Sequence, residues 1–420
     1  MIQTSIITIG DELLIGQVID TNSAWMAQQL NKSGIRVARR VAVGDVWDEI
    51  WETLDQESSN ADIILITGGL GPTADDITKP LLCKYFSGKM VVDEGALQNV
   101  TNILKNILNR PIIERNLKQA EVPDTCKVIL NKRGTAPGMW FEKEGKIFVS
   151  MPGVPHEMKG MMLDDVIPLL NKQFQFPHIA HRTLLTAGVG ESSLADMIAD
   201  FEKTIPIHIK LAYLPNYGMV RLRLSSSGPA MQSIEDEIQH YFNLLQKLVK
   251  EYLVTNEDES MQQVLANLLV ANNKTISTAE SCTGGYIAHL LTQHAGASAF
   301  YSGSVVSYSY MAKESLLQVD KKMLESSGAV SEDVVIQMAK GALQSLKTDY
   351  TIAVSGIMGP DGGMEDKPVG TVWVAVGTSD KIRTEKFHFR FDRTRNIELT
   401  ATYALNMLRK FILSNASFHI

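Results

Sequence analysis

Two hydrophobic periods alternate along this chain. Ile6-Ile7-Thr8-Ile9 and Ile63-Ile64-Leu65-Ile66-Thr67 are nearly unbroken β-branched runs, and each leads into glycine. Strands buried on both faces that end in a glycine turn are what a parallel α/β sheet requires. Between them, 23–31 and 46–57 carry apolar residues at helical spacing, and 35–43 reads as a strand. A helix is expected over 75–86, interrupted near Pro80, and a strand over 146–151 closed by Pro152-Gly153. This first block spans 1–170.

A smaller α+β pattern follows over 171–255. It predicts strands at 182–187, 209–213 and 220–225, and helices at 191–203 and 233–252. The second of these helices has Ile234, Ile238, Phe242, Leu245 and Val249 on one stripe. A polar, acidic run, Thr255 to Ser260, then marks a linker or a helix cap. The last block, 256–420, is again α/β. Helices are expected at 261–271, 285–293, 313–318, 331–347 and 394–414. Strands are expected at 275–279, 304–308, 350–355, 370–377 and 383–391.

Composition changes this picture little. The 420 residues are 45% hydrophobic and 21% charged, with net charge −7. That excludes a disordered or collagenous chain. An acidic chain without a basic stripe is not expected to bind nucleic acid directly. Cys83, Cys126 and Cys282 lie far apart, with no zinc spacing, which suits a reducing cytoplasm. The start has no basic leader pattern and no segment reads as a membrane span.

One stretch stands out chemically. The 32 residues from Ser281 to Ala312 carry no Asp, Glu, Lys or Arg, yet hold four glycines and eight Ser/Thr hydroxyls. A strand runs into Glu280-Ser281-Cys282-Thr283-Gly284-Gly285 and then into a helix. Such a corner exposes a serine and points amides at an anion or a developing oxyanion. The stretch ends at Lys313. A lysine in uncharged surroundings loses its proton easily and becomes a base for a serine. A plain helix cap and a solvated lysine are the alternatives. After the strand at 350–355 come five glycines within fifteen residues, Gly356 and Gly359 among them. They suit close approach to a ligand or a hairpin loop. Arg393 and Arg395 are both candidates to clamp a phosphate, or to form surface ion pairs.

The first block has its own patch. Thr67-Gly68-Gly69-Leu70-Gly71-Pro72-Thr73-Ala74-Asp75-Asp76 resembles a phosphate-cradling turn with two carboxylates, and Gly10-Asp11-Glu12 adds acids after the first strand. Carboxylates beside phosphates suggest a divalent metal. Neither a dinucleotide fingerprint nor a P-loop is present, and His156-Glu157 is not part of a zinc motif.

Taken together, these motifs closely resemble the bacterial CinA family over essentially the whole chain. The first block looks like the molybdopterin-binding fold through Gly10–Leu14, 67–78, Gly134–Gly138 and Met151–Pro155. The middle block is similar to the family's KH-like connector but lacks a GxxG loop, so no RNA binding is inferred from it. The last block resembles the family's nicotinamide mononucleotide deamidase domain through 279–285, Ser307–Ser309 with Lys313, 328–332 and 355–370.

The resemblance implies a three-layer molybdopterin-binding-like domain, a small α+β domain and an α/β deamidase domain. It implies Ser281 as nucleophile and Lys313 as base, with Tyr308 assisting. Expected substrate contacts there are Glu280, Thr283, Gly284, Gly285, Ser298, Gly356, Gly359 and one of Arg393 and Arg395. Amides near Thr283–Gly285 would hold the oxyanion, and no cofactor is expected. For the first block it implies metal-dependent hydrolysis of ADP-ribose. Asp11 and Asp76 would hold Mg, Mn or Co, with Gly68, Gly69, Gly71, Thr73, Gly138, Pro152 and Gly153 around the substrate. A cytoplasmic homodimer acting on small nucleotides, without membrane contact, completes the expectation. A binding module without turnover in the first block, or a partner protein in DNA uptake, are the alternatives.

Overall fold

The structure is a computed structural model and describes residues 2–73, 76–107, 111–228 and 231–415. The chain divides into two compact units, 1–179 with 227–234, and 180–226 with 235–420.

In the first unit the elements run β1 (Thr4–Ile9), α1 (Asp11–Leu14), α2 (Thr21–Lys32), β2 (Val37–Val43), α3 (Trp47–Asn60), β3 (Ile63–Thr67) and α4 (Thr78–Tyr85). They continue with β4 (Met90–Val92), α5 (Glu94–Asn102), α6 (Glu114–Leu117), β5 (Glu121–Pro123), β6 (Lys127–Ile129), β7 (Gly138–Lys143), β8 (Lys146–Met151), α7 (Pro155–Met161) and α8 (Ile167–Gln173). Six strands form a sheet in the order β2-β1-β3-β8-β7-β6. β2, β1, β3 and β8 are parallel, and β7 and β6 turn antiparallel.

Alternation along the strands explains the layers. Ile63 and Leu65 of β3 join one apolar core with Met26 and Leu30 of α2. Ile64 and Ile66 point the other way, into a core with Ile50 and Leu54 of α3. A sheet covered on both faces needs apolar residues at every position, which is why β3 is an unbroken apolar run. Parallel register places Gly10, Gly44, Gly68 and Pro152 at one edge, after the carboxyl ends of β1, β2, β3 and β8. Pro80 does not interrupt α4, contrary to the expected break. It stands third in that helix, where its missing N–H would have had no intrahelical partner. The expected start at Asp75 lies outside the described residues. The short strands from β4 to β7 and helices α5 to α8 are elements that hydropathy alone did not mark.

The chain continues with β9 (His178–Ala187), α9 (Glu191–Thr204), β10 (Lys210–Asn216), β11 (Met219–Gly228), α10 (Met231–Leu248) and β12 (Leu253–Thr255). These strands make a four-stranded sheet in the order β10-β11-β9-β12.

The remaining elements are α11 (Met261–Ala271), β13 (Ile276–Glu280), α12 (Tyr286–Thr292), β14 (Tyr301–Val306), α13 (Tyr310–Leu317), α14 (Lys321–Ser327), α15 (Glu332–Leu346), β15 (Tyr350–Gly356), β16 (Thr371–Gly377), β17 (Ile382–His388) and α16 (Arg393–Asn415). Their sheet has the order β14-β13-β15-β16-β17. Ile352 and Val354 of β15 face a core with α11 and α16, while Ala353 faces α15. Val306, Glu280 and Val354 are side by side in parallel register. The loops 281–285, 307–309 and 357–370 therefore leave the sheet at the same edge. Among the described residues no helix is long and apolar enough to cross a membrane.

Candidate active site

Ser281 follows β13 directly. Its N–H still donates to Val354 O at 3.1 Å, as a strand residue would, while its own carbonyl accepts from Gly284 N at 3.1 Å. The chain thus turns sharply at Ser281 and enters α12 through Gly284 and Gly285, both with left-handed φ. That backbone is cheap only for glycine.

Glu280 makes the corner rigid. Its carboxylate is fully buried and accepts from the N–H groups of Gly285 (3.1 Å), Ile287 (3.1 Å) and Ala288 (2.8 Å). It also accepts from Thr283 Oγ1 at 2.7 Å and Thr278 Oγ1 at 3.2 Å. An acid taking the free amides of a helix start is a strong local brace. Glu280 was expected to touch substrate. With five donors already on it, its place is beneath the turn. The expected oxyanion amides are revised as well, because those of Gly284 and Gly285 are spent inside the turn.

Lys313 comes from α13, one turn inside the helix that Ser309 caps. It is only 1% exposed. Its Nζ donates to Ser281 Oγ at 2.9 Å and to Ser307 O at 2.7 Å. The Ser307 amide donates to Glu280 O at 2.8 Å, so the brace and the base are joined through one strand end. Burial lowers the Lys313 amine from 10.5 to about 8, against a small opposing pull from Cys282. The positive end of α13 disfavours an ammonium there too. Burial pushes the neighbouring Cys282 thiol up to about 12, so it stays protonated and leaves Ser281 as the hydroxyl that the amine meets.

Tyr308 is 63% exposed, and its hydroxyl accepts from Arg393 Nη2 at 3.0 Å. Arg393 Nη1 donates to Gly359 O at 2.9 Å. Asn396 holds the same loop by donating to Met358 O at 3.1 Å. Arg393 therefore links Tyr308 to the glycine loop that begins at Gly356. Arg395 does not share this position. Its guanidinium lies 4.2 Å from the Phe391 ring centre and 5.8 Å from that of Tyr217. Of the two competing arginines, the structure brings Arg393 to the site. Thr283, Gly284 and Gly285 also face a groove of about 430 Å³ floored by Tyr286, Thr394 and Glu398.

Ser298 is not brought to this site. It lies in a short turn before β14, and β14 starts beside Ile276 at the opposite end of β13 from Ser281. Five strand residues at ~3.3 Å each separate the two ends. Sequence distance alone cannot reveal which end of a strand a loop joins.

In the first unit, a cavity of about 420 Å³ opens where the parallel strands end. Gly68, Gly69, Gly71, Pro152 and Gly153 line it, as expected. A Cβ on Gly68 would lie 2.2 Å from Ile9 O, so the turn closes tightly on β1. Asp76 also lines it, but its carboxylate accepts from Gly71 N (2.7 Å), Thr73 N (2.9 Å) and Thr73 Oγ1. Thr73 thus serves the loop itself. Asp11 exchanges backbone-to-side-chain bonds with Asp45. Among the described residues no three His, Cys, Asp or Glu side chains are grouped to hold a metal ion. Asp76 lines the cavity and Asp11 is not among its lining residues, so the expected metal pair is not set around this one cavity. Gly138 is corrected too. It is a buried β7 residue packed 3.1–3.3 Å from Met161, Ser150 and Ile129 at the position of a Cβ, away from the cavity lining. Glu12 lines the cavity as its place after the first strand suggested, and Asp45, Gln119 and Glu157 line it without having been singled out for it.

Fold and site together define a modular α/β protein with a buried serine–lysine pair in its last block. The comparisons agree with the modular division. A probable molybdopterin binding domain matches residues 5–172, a damage-inducible protein CinA KH domain 181–255, and a CinA C-terminal domain 258–412. A CinA-like protein of Cytophaga hutchinsonii is 45% identical over 97% of this chain and 98% of its own. One from Flavobacterium psychrophilum is 43% identical over 99% and 100%. The solved competence damage-inducible protein A (ComA) of Klebsiella pneumoniae is 35% identical, covering 38% of this chain and 100% of its own, at a TM-score of 0.36. The chain belongs to the CinA family.

Proposed function

We propose that the second unit hydrolyses nicotinamide mononucleotide to nicotinate mononucleotide and ammonia, with Ser281 as nucleophile and Lys313 as base. The observation that carries this reading is the 2.9 Å approach of Lys313 Nζ to Ser281 Oγ in a buried site that holds the amine near 8. The substrate follows from the family resemblance of the 279–285, 307–313 and 355–370 motifs.

The neutral amine takes the Ser281 proton while Oγ forms a bond to the amide carbon. The carbonyl electrons move to oxygen, where the amides of Cys282 and Thr283 are nearest in sequence to receive them. The ammonium then returns its proton to the amide nitrogen, the C–N bond breaks and ammonia leaves. Water attacks the acyl-enzyme, Lys313 accepts one of its protons and passes it to Ser281 as the acyl bond breaks, and the carboxylic acid departs, losing its own proton to solvent. One water enters and one ammonia leaves. Ser307 O keeps the amine aimed throughout, and Arg393 with Tyr308 presents donors to the anionic end of the substrate. Ammonia release by wild type, Ser281→Ala and Lys313→Ala tests this. Full turnover by Ser281→Ala removes the nucleophile assignment.

For the first unit the same reading places an ADP-ribose-like nucleotide in the cavity at the Gly68–Gly71 turn. Hydrolysis there belongs to the family expectation. Asp11 and Asp76 do not line one cavity together, so no step is routed through a metal ion. Unchanged products from ADP-ribose with Asp76→Ala and added divalent ion would remove Asp76 from that reaction. A cytoplasmic homodimer completes the proposal, and light scattering on the full chain tests the dimer.

A further inference from the structure

The middle block has no task in the reaction proposed for the second unit, yet it is built into that unit. Leu185, Ala187 and Val254 of its sheet share one apolar core with Met261 and Leu265 of α11 and with Leu399 of α16. A close-packed core passes a displacement from one side to the other.

The hairpin of β10 and β11 extends this contact. Asn216 pairs with Met219, so the turn consists of Tyr217 and Gly218, with φ of 33° and 77°. Such a turn favours Asn and Gly, and a tyrosine in it has to be held by its surroundings. Gly218 O accepts from Gly188 N at 3.2 Å, which ties the tip to the end of β9. Arg221 of β11 donates Nη2 to Glu259 O at 3.2 Å, just before α11. The tip therefore has a fixed base.

It presses on α16. A Cβ on Gly218 would lie 2.8 Å from Tyr403 Cε2 and 3.5 Å from Leu399 Cδ2, so the approach suits glycine alone. The Tyr217 hydroxyl meets the Glu398 carboxylate. Hydrogen bonding to Glu398 and its charge raise that hydroxyl above its usual range, against the pull of Arg395. Arg395 only covers the ring, 5.8 Å from its centre.

The stretch of α16 that receives the tip also serves the site. Arg393 donates to the Tyr308 hydroxyl at 3.0 Å and to Gly359 O at 2.9 Å. Thr394, Ile397 and Glu398 line the groove beside the Ser281 corner, together with Gly284 and Gly285. Ser281 and Lys313 come from β13 and α13, so their mutual geometry does not depend on α16.

We propose that Tyr217, acting through Glu398, is a positioning residue for substrate binding at the serine–lysine site. The hairpin of the middle block thereby supports one wall of the groove. This rests on the reading of the second unit as an amide hydrolase.

Initial ammonia release from nicotinamide mononucleotide by the full chain gives kcat and KM for wild type, Tyr217→Phe, Glu398→Ala and the double variant. Tyr217→Phe keeps the ring beneath Arg395 and removes only the hydroxyl. It is expected to raise KM about fivefold and to leave kcat within about twofold. The midpoint of its pH profile should stay near 8, because Lys313 is untouched. In the Glu398→Ala background the same change is expected to leave KM where Glu398→Ala alone puts it, since members of one network do not add. A residue that only stabilises the fold would reduce the active fraction, and so kcat, without moving KM. An unchanged KM in Tyr217→Phe, a shifted pH midpoint, or effects of Tyr217 and Glu398 that multiply would refute the positioning while the hydrolase reading stands. If wild type releases no ammonia, that reading falls and this inference with it. Should Glu398→Ala fail to fold, Tyr217→Phe against wild type still decides.

Discussion

Raising the pH from 7 to 9 should speed amide hydrolysis by about tenfold, through the protonation of Lys313. Its amine titrates near 8, where 10.5 is usual, because it is buried with two neutral oxygens as partners. The reactive form is the neutral amine. It makes up roughly one part in eleven at pH 7 and about ten in eleven at pH 9. An unperturbed amine would be about 0.03% neutral at pH 7, so burial enriches the base roughly 300-fold, or about 3 kcal/mol. The Cys282 thiol titrates near 12, outside this window. The assay is initial ammonia release at low substrate, which follows kcat/KM and reports groups of the free enzyme. The expected profile rises with a midpoint near 8 and is flat above 9. Lys313→Arg, whose guanidinium keeps its proton, should be inactive at every pH. A level profile between pH 6.5 and 9.5, or a rise only above 10, would refute the reasoning, as would an active arginine variant.

The same burial has a cost in stability. Below about 8 both folded and unfolded chains hold the Lys313 proton, and the folded state carries the full desolvation penalty; between 8 and 10.5 the folded state releases it first and the penalty fades. Lys313→Met should therefore raise stability in urea titrations at pH 7, by up to about 3 kcal/mol less the two lost hydrogen bonds. The gain should vanish by about pH 10.5, and a gain that grows with pH contradicts the account. Glu280→Ala strips the acceptor from three amides, one buried and two part-buried, and should cost about 3 kcal/mol or more, together with most turnover. An unchanged melting temperature in that variant would show that the brace is dispensable. Arg393→Ala should raise KM about tenfold or more, whereas Arg395→Ala should leave KM within about twofold, since Arg395 stacks on Phe391 and Tyr217. Equal effects from the two variants would overturn the assignment of Arg393.

Much of the fold was legible where burial is simple. The run Ile63–Thr67 is a strand to the residue, and the amphipathic stretch Met261–Ala271 a helix to the residue. The uncharged stretch from Ser281 was legible as a site for the opposite reason. Its hydroxyls and glycines had no use in a membrane span or a solvated surface, and Lys313 ended it. Less legible were short elements such as β4 to β6, three residues each, whose pairing partners set their conformation. Gly138 read as a ligand-facing glycine because it stands in a motif. Its neighbours Met161 and Ser150 make it a packing residue.

Local chemistry along the chain determined which side chains are candidates: a serine at a strand–glycine–helix corner, a lysine free of neighbouring charge, and glycine turns after apolar strands. Those properties depend on adjacent residues, so order in sequence carries them. Tertiary structure decided which candidates meet. Parallel register put Ser281, Ser307 and the 357–370 loop at one edge and left Ser298 at the other. Packing of α13 brought Lys313 to 2.9 Å from a serine 32 residues away. Burial then did what composition cannot, because desolvation depends on everything that surrounds an amine in space: it turned an ordinary lysine into a base that titrates near 8.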